Sequence, residues 1–175
     1  MRRATIPPAA VAALAVFLVA PLAEAAGPPC RTAAELKTAL ARAADDVARA
    51  TLASRFAACA TRATTPLLSP GLSPGSVRVL FVYRSPAEKV FLAGDMSGWS
   101  TSAQPLERLT GTDLHVLEMD VPDGARLDYK LVVSGTEWTL DPWNPKTMTG
   151  GYGPNSELRT PAYVPPAEVE PGPDT

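Results

Sequence analysis

The sequence predicts a mainly β domain, a small antiparallel sandwich spanning about residues 76–163, with an α-helical segment ahead of it. Three observations predict this. Short apolar runs separated by polar turns recur from Val77 to Tyr163, which is the pattern of successive short strands. Within them the apolar residues alternate: Val77, Val79, Phe81 and Tyr83 can share one face of a strand, and Tyr129, Leu131 and Val133 one face of another. Upstream, an Ala-rich stretch runs from Thr32 to Thr61 without Gly or Pro, which suits a helix.

The first 25 residues read as a signal peptide. Arg2 and Arg3 form a basic start, Ala9 to Ala20 an apolar stretch too short to span a membrane comfortably, and Ala23-Glu24-Ala25 a small-x-small cleavage pattern. The expected product is an exported protein, periplasmic or extracellular, with no membrane span after cleavage. Removing that segment leaves 14 basic and 17 acidic residues, a slightly negative chain without the concentrated basic surface that phosphate backbones require. Nucleic acid is therefore excluded as the expected partner.

Residues 26–63 form the helical segment. Thr32-Ala33-Ala34-Glu35 has the spacing of a capping box, in which the Thr hydroxyl accepts the amide three residues on. Leu36, Leu40 and Val47 fall on one helical face, whereas Leu52, Phe56 and Cys59 fall on a roughly opposite one. Such a change of face predicts a hairpin broken near Asp45-Asp46; the alternative is one continuous helix. The two cysteines bear on the choice. An exported chain tends to pair them, yet in one straight helix Cys30 and Cys59 would stand about 40 Å apart, against the about 7 Å limit for a disulfide. A hairpin lets them pair. Residues 64–75, TTPLLSPGLSPG, read as a Pro/Gly/Ser linker, and residues 164–175 as a tail with too little apolar surface to fold.

Within the sandwich, Val90 to Gly94 is a strand that runs into a Gly-Asp turn, and the following loop presents Trp99. Leu114 to Val121 and Arg126 to Val133 form a hairpin about the turn Pro122-Asp123-Gly124. Ser134-Gly135 turns the chain again. Trp138 then precedes Asp141-Pro142, where the chain leaves the sheet because proline cannot donate to a ladder. Tryptophans at turns and strand ends suit surfaces with one apolar and one wet side.

The segments VFLAGDMSGWS, LEMDVPDGARLDYKLVVSG and EWTLDPWNP, about half of the chain, resemble the glycogen-binding modules of AMP-activated kinase β-subunits and of branching and debranching enzymes. The resemblance implies an immunoglobulin-like β-sandwich of the early-set type and an α-glucan ligand. It also implies that Trp99, Lys130 and Trp138 line the sugar surface, with Asn155 as the candidate for a further hydrogen bond. Gly98 stands where such modules often carry Asn. A second segment, DPWNPKTMTGGYGPNSELRTPAYVPP, resembles the end of the N-terminal sandwich of enterochelin-esterase-like hydrolases.

Other motifs point away from catalysis. Gly71-Leu72-Ser73-Pro74-Gly75 matches G-x-S-x-G, but the residue after the serine is a proline and has no N–H to serve as oxyanion donor. His115 is the single histidine, without metal ligands or a nucleophile near it in sequence. Asp95, Asp123 and Asp141 fall at turns, where aspartate is favoured for backbone hydrogen bonding. The expected function is thus non-catalytic α-glucan binding, with no cofactor. The alternatives are an envelope protein-interaction module, or an accessory domain to a partner esterase or glycosidase, with no sugar binding of its own.

Overall fold

The computed structural model describes residues 32–63 and 65–167. The expected signal segment 1–25, Cys30 and residues 168–175 of the tail lie outside the described residues.

Two helices come first, α1 (Ala33–Ala41) and α2 (Asp46–Ala63). The Thr32 side chain caps α1 by accepting from the Glu35 N–H at 3.3 Å. The chain breaks without glycine because Asp45 starts the second helix: its Oδ1 accepts from the Ala48 N–H at 2.8 Å and satisfies one otherwise orphaned donor. The hairpin therefore forms where the apolar face switches. Leu36 and Leu40 of α1 meet Ala53, Phe56, Ala57 and Ala60 of α2, all buried. Val47 departs from the expected face and is 76% exposed, because the break resets the helical phase and α2 buries the stripe 53, 56, 57, 60 instead. Cys59 packs partly buried against this cluster and is disulfide-bonded; Cys30, its expected partner, lies outside the described residues.

Nine strands follow among the described residues: β1 (Leu67–Pro70), β2 (Ser76–Arg84), β3 (Val90–Gly94), β4 (Pro105–Arg108), β5 (Leu114–Pro122), β6 (Arg126–Val133), β7 (Glu137–Thr139), β8 (Thr147–Gly150) and β9 (Gly153–Arg159). All pairings are antiparallel, in the order β1-β2-β5-β4-β3-β6-β9-β8, with β7 also on β6. The sheet curls into two layers joined through β4, which pairs with β5 at Glu107↔Val116 and with β3 at Val90↔Leu106. The mainly β, sandwich-like class expected from the alternation is the observed one.

β1 corrects the linker expected over 64–75. Leu67 to Pro70 pair with Leu80 to Val77, and Leu67 is buried under the helices. The G-x-S-x-G stretch is the β1–β2 turn, where the Gly71 N–H donates to Ser76 O and the Ser76 N–H to Ser73 O. Proline and serine composition hid a strand that lies at the sheet edge among the described residues, a position that tolerates Pro70.

Two cores result. Between the layers lie Val77, Val79, Phe81, Val90, Leu92, Leu106, Val121, Tyr129, Leu131 and Leu158. Phe81 and Tyr129 meet edge to face, with ring centroids 5.1 Å apart. Between the helix pair and the first layer lie Leu67, Leu80, Val82, Leu109, Leu114 and Val116. β2 is thus covered on both faces, which explains why its apolar run is nearly continuous where the alternation alone marks a single buried face. Helices cover one outer face of the sandwich, and the other outer face holds the groove.

Candidate binding groove

Strand alternation sets the groove's floor. Tyr129 and Leu131 of β6 point into the sandwich, so Asp128 and Lys130 point outward. On neighbouring β9, Ser156 pairs with Tyr129 and Glu157 with Asp128, which puts Asn155 and Glu157 on the outward side. Trp138 of β7 pairs with Val132 and joins that face from the other flank.

The Trp99 loop closes the groove. β3 ends at Gly94, where a Cβ would lie 2.4 Å from the Asp128 carbonyl oxygen, so only glycine lets the two backbones approach this closely. A 3-10 turn, Asp95–Ser97, leads to Gly98 at φ 58° and Trp99 at φ 62°, both left-handed. For a bulky residue such a conformation costs about 1–3 kcal/mol and persists only where its surroundings fix it. Here the Trp99 N–H donates to Gly94 O at 2.9 Å, and its indole Nε1–H to Asp95 Oδ1 at 3.0 Å. At Gly98 no atom lies within 4 Å of a Cβ, so an Asn, which also accepts the left-handed region, would fit there.

The indoles of Trp99 and Trp138 stack, with centroids 6.5 Å apart and planes 27° from parallel. Trp138 is 43% exposed and Trp99 is half-buried. A groove of about 770 Å³ is lined by both rings with Asp95, Asp128, Lys130, Asn155 and the tip Gly150-Gly151-Tyr152 of the β8–β9 hairpin. All four residues proposed from the sequence, Trp99, Lys130, Trp138 and Asn155, line it. The Asn155 Nδ2 donates to Asp128 Oδ2 at 3.4 Å, which turns its carbonyl oxygen away from that carboxylate.

Besides Gly150 and Gly151, three lining side chains escaped the sequence reading. Asp95 was read only as a turn-former, Asp128 lies inside a strand, and Tyr152, fully exposed, sits among glycines that signal a turn. The outward phase of Asp128, two residues before Lys130, was the available signal for it.

A charged ladder supports the floor. Arg126 Nη2 stands 3.0 Å from Asp128 Oδ1, an ion pair without hydrogen-bond alignment, and its Nε donates to Glu157 Oε2 at 2.7 Å. Arg159 pairs with the other Glu157 oxygen and lies over the Tyr163 ring. Burial raises the Glu157 pKa, but hydrogen bonds from Arg159 and Arg126 outweigh it and hold the carboxyl below its usual range.

Beneath the groove a buried polar network locks the strands together. Asp141, 3% exposed, accepts from Tyr129 Oη and Thr65 Oγ1, each at 2.8 Å, and from the Trp143 N–H at 2.9 Å. Its own N–H donates to Ser156 Oγ, while Asn144 Nδ2 donates to Tyr129 Oη and to Glu157 O. Asp141 therefore does more than shape a turn: it joins β6, β9 and the segment after β7. Burial raises its pKa against these hydrogen bonds. Trp143 packs partly buried against the helix-side core and does not line the groove.

His115 is fully buried in β5, with Nε2 3.3 Å from Ser85 O. Burial lowers its pKa despite that backbone contact. Among the described residues no group of three or more His, Cys, Asp and Glu could hold a metal ion, and no helix is long and apolar enough to cross a membrane.

No protein-family model and no curated protein matches the chain, so the glycogen-binding resemblance rests on the motifs quoted above. Solved structures do match in fold. The enterobactin esterase FES from Shigella flexneri, in the presence of enterobactin, is 17% identical with a TM-score of 0.53, over 61% of this chain and 36% of that one. The ferric enterobactin esterase from Salmonella typhimurium is 16% identical with a TM-score of 0.46, over 55% of this chain and 34% of that one. The chain thus matches about a third of the length of these esterases, and its likeness to the Shigella one is of fold alone.

Proposed function

We propose that this is a non-catalytic α-glucan-binding domain of an exported protein, with the Trp99–Trp138 groove as its site. The observation that carries the reading is the near-parallel indole pair in a groove that also holds an ammonium donor and an amide. Sugar rings present C–H faces that stack on indoles, while hydroxyls exchange hydrogen bonds with a few polar groups. The Lys130 side chain, which makes no hydrogen bond or ion pair among the described residues, supplies donors; the Asn155 carbonyl supplies an acceptor. The deciding experiment is a binding panel of the mature protein against glycogen, amylose, cyclodextrin, cellulose and xylan. Retention by the α-glucans alone supports the reading, and indifference to all of them removes it.

The reading includes the absence of hydrolase activity. Ser73 sits in a β-turn and is followed by Pro74, which has no N–H to serve as the oxyanion donor the elbow motif requires. Ester or glycoside turnover that disappears in Ser73→Ala would overturn this. It includes also a Cys30–Cys59 disulfide, detectable as a linked peptide in a non-reduced digest.

The fold likeness to part of the enterobactin esterase chains favours a second reading, an accessory domain serving a separately encoded esterase without sugar binding of its own. Under that reading the glucan panel is blank, and the domain alters the turnover of its partner enzyme.

A further inference from the structure

Asp95 makes two side-chain hydrogen bonds that reach beyond its own turn. Oδ1 accepts from the Trp99 indole N–H at 3.0 Å, and Oδ2 accepts from the backbone N–H of Asp128 at 2.8 Å, 33 residues away in sequence. An aspartate that only shapes a turn serves nearby backbone amides. This one joins the tip of the tryptophan loop to the strand that carries Asp128 and Lys130. The Asp128 bonded in this way is also the residue whose carboxylate accepts from Asn155, so one carboxylate stands between an aromatic wall and a polar floor.

We infer that Asp95 is a positioning residue of the groove, fixing the Trp99 ring against Trp138 and registering that loop on β6. An indole on an exposed loop turns about two side-chain bonds, and stacking alone leaves it free to slide. A hydrogen bond to an ionised acceptor is stronger than a neutral one and directional, so it selects one ring orientation. The rest of the loop is consistent with this, because Trp99 is held in the left-handed region and needs its surroundings to keep it there. A chemical consequence follows for the ligand. With its N–H engaged by Asp95, Trp99 offers the ligand a face and no donor, and donation falls to other lining groups, Lys130 among them. This deepens the sugar-binding reading and rests on it for the ligand half of the test only.

Two stacked indoles couple their electronic transitions and produce an exciton couplet in far-ultraviolet circular dichroism, which is measured without ligand. The experiment compares wild type, Asp95→Asn and Asp95→Ala in that couplet, in thermal melting and in glycogen affinity. Asp95→Ala is expected to lose most of the couplet and to weaken glycogen binding roughly threefold to tenfold, the scale of one lost hydrogen bond, while melting close to wild type. Asp95→Asn, which keeps one acceptor oxygen, is expected to fall between the two. A wild-type couplet in Asp95→Ala overturns the inference, as does the absence of any couplet in the wild type. Should Asp95→Ala fail to fold, Asp95→Asn decides, and a couplet of wild-type size there overturns it equally. If the wild type shows the couplet and Asp95→Ala loses it, but no α-glucan binds, the positioning role stands and the sugar reading falls.

Discussion

The two outer faces of the sandwich solve the same problem in opposite ways. On the layer of β1, β2, β5 and β4 the outward residues Leu80, Val82, Leu114 and Val116 are apolar and lie buried under the helix pair. On the other layer the outward residues of β6 and β9 include Arg126, Asp128, Lys130, Asn155, Glu157 and Arg159, among which Arg126, Asp128, Glu157 and Arg159 are ion-paired, beside the buried Val132. The contrast teaches that the covered face is built by burial and the bare face by paired charges. Changes in the first are expected to act on stability, and changes in the second on binding.

The sharpest way to break that contrast is on the covered side. Phe56, 1% exposed between α2 and the sheet, should cost about 3–5 kcal/mol of unfolding free energy when replaced by Ala, read from denaturant titration. The indole couplet should survive under folding conditions. Loss of the couplet in the folded variant would mean that the two faces are coupled.

Trp138→Ala acts on the bare side. With 43% of the residue exposed, it should lose about 1–2 kcal/mol of α-glucan affinity, or roughly tenfold or more, by affinity electrophoresis in glycogen gels, with the melting transition nearly unmoved. Global unfolding of the variant would reassign this indole to the core.

Lys130→Ala should weaken the same retention less, by about 0.5–1.5 kcal/mol, because an exposed hydrogen bond exchanges with water. An effect larger than that of Trp138→Ala would make the site electrostatic in character and would appear as strong salt dependence.

The smallest effect belongs to His115, on the covered layer. Its folded-state pKa lies below the ordinary 6.5, chiefly through burial. As pH falls, the unfolded chain takes up the proton first. Stability from keeping this ring neutral is therefore full above about pH 6.5 and is lost as pH falls through the folded pKa. The slope should disappear in His115→Gln, measured by denaturant titration across that range.

β6 was legible because a pleat with one buried face leaves a period of two in its residues, and β2 and β5 because their apolar runs end at clear turns. β1 was not, since Leu67 and Leu68 stand among Pro and Ser and an edge position tolerates both. β8 and β9 were equally hard, because Gly150, Gly151 and Gly153 speak for turns and the strands are held by pairing to distant residues. In the groove, the aromatic and amide positions were readable as Trp99, Lys130, Trp138 and Asn155. Asp95 and Asp128 were not, since the bond between them spans 33 residues and leaves no local pattern. Asp141 shows the same limit: its turn was visible, but its buried contacts with Thr65 and Tyr129 were not.

The double covering of β2 also sets a hierarchy of motion. A strand with α2 on one side and the second layer on the other exposes its amides to exchange only when both coverings leave, so its opening free energy should approach that of global unfolding. The Trp99 loop is held by a few hydrogen bonds at the rim and can open alone on a far shorter timescale. The lip of the groove can thus rearrange many times within the lifetime of a single exchange event at β2, so mobility and endurance reside in different parts of one small sandwich.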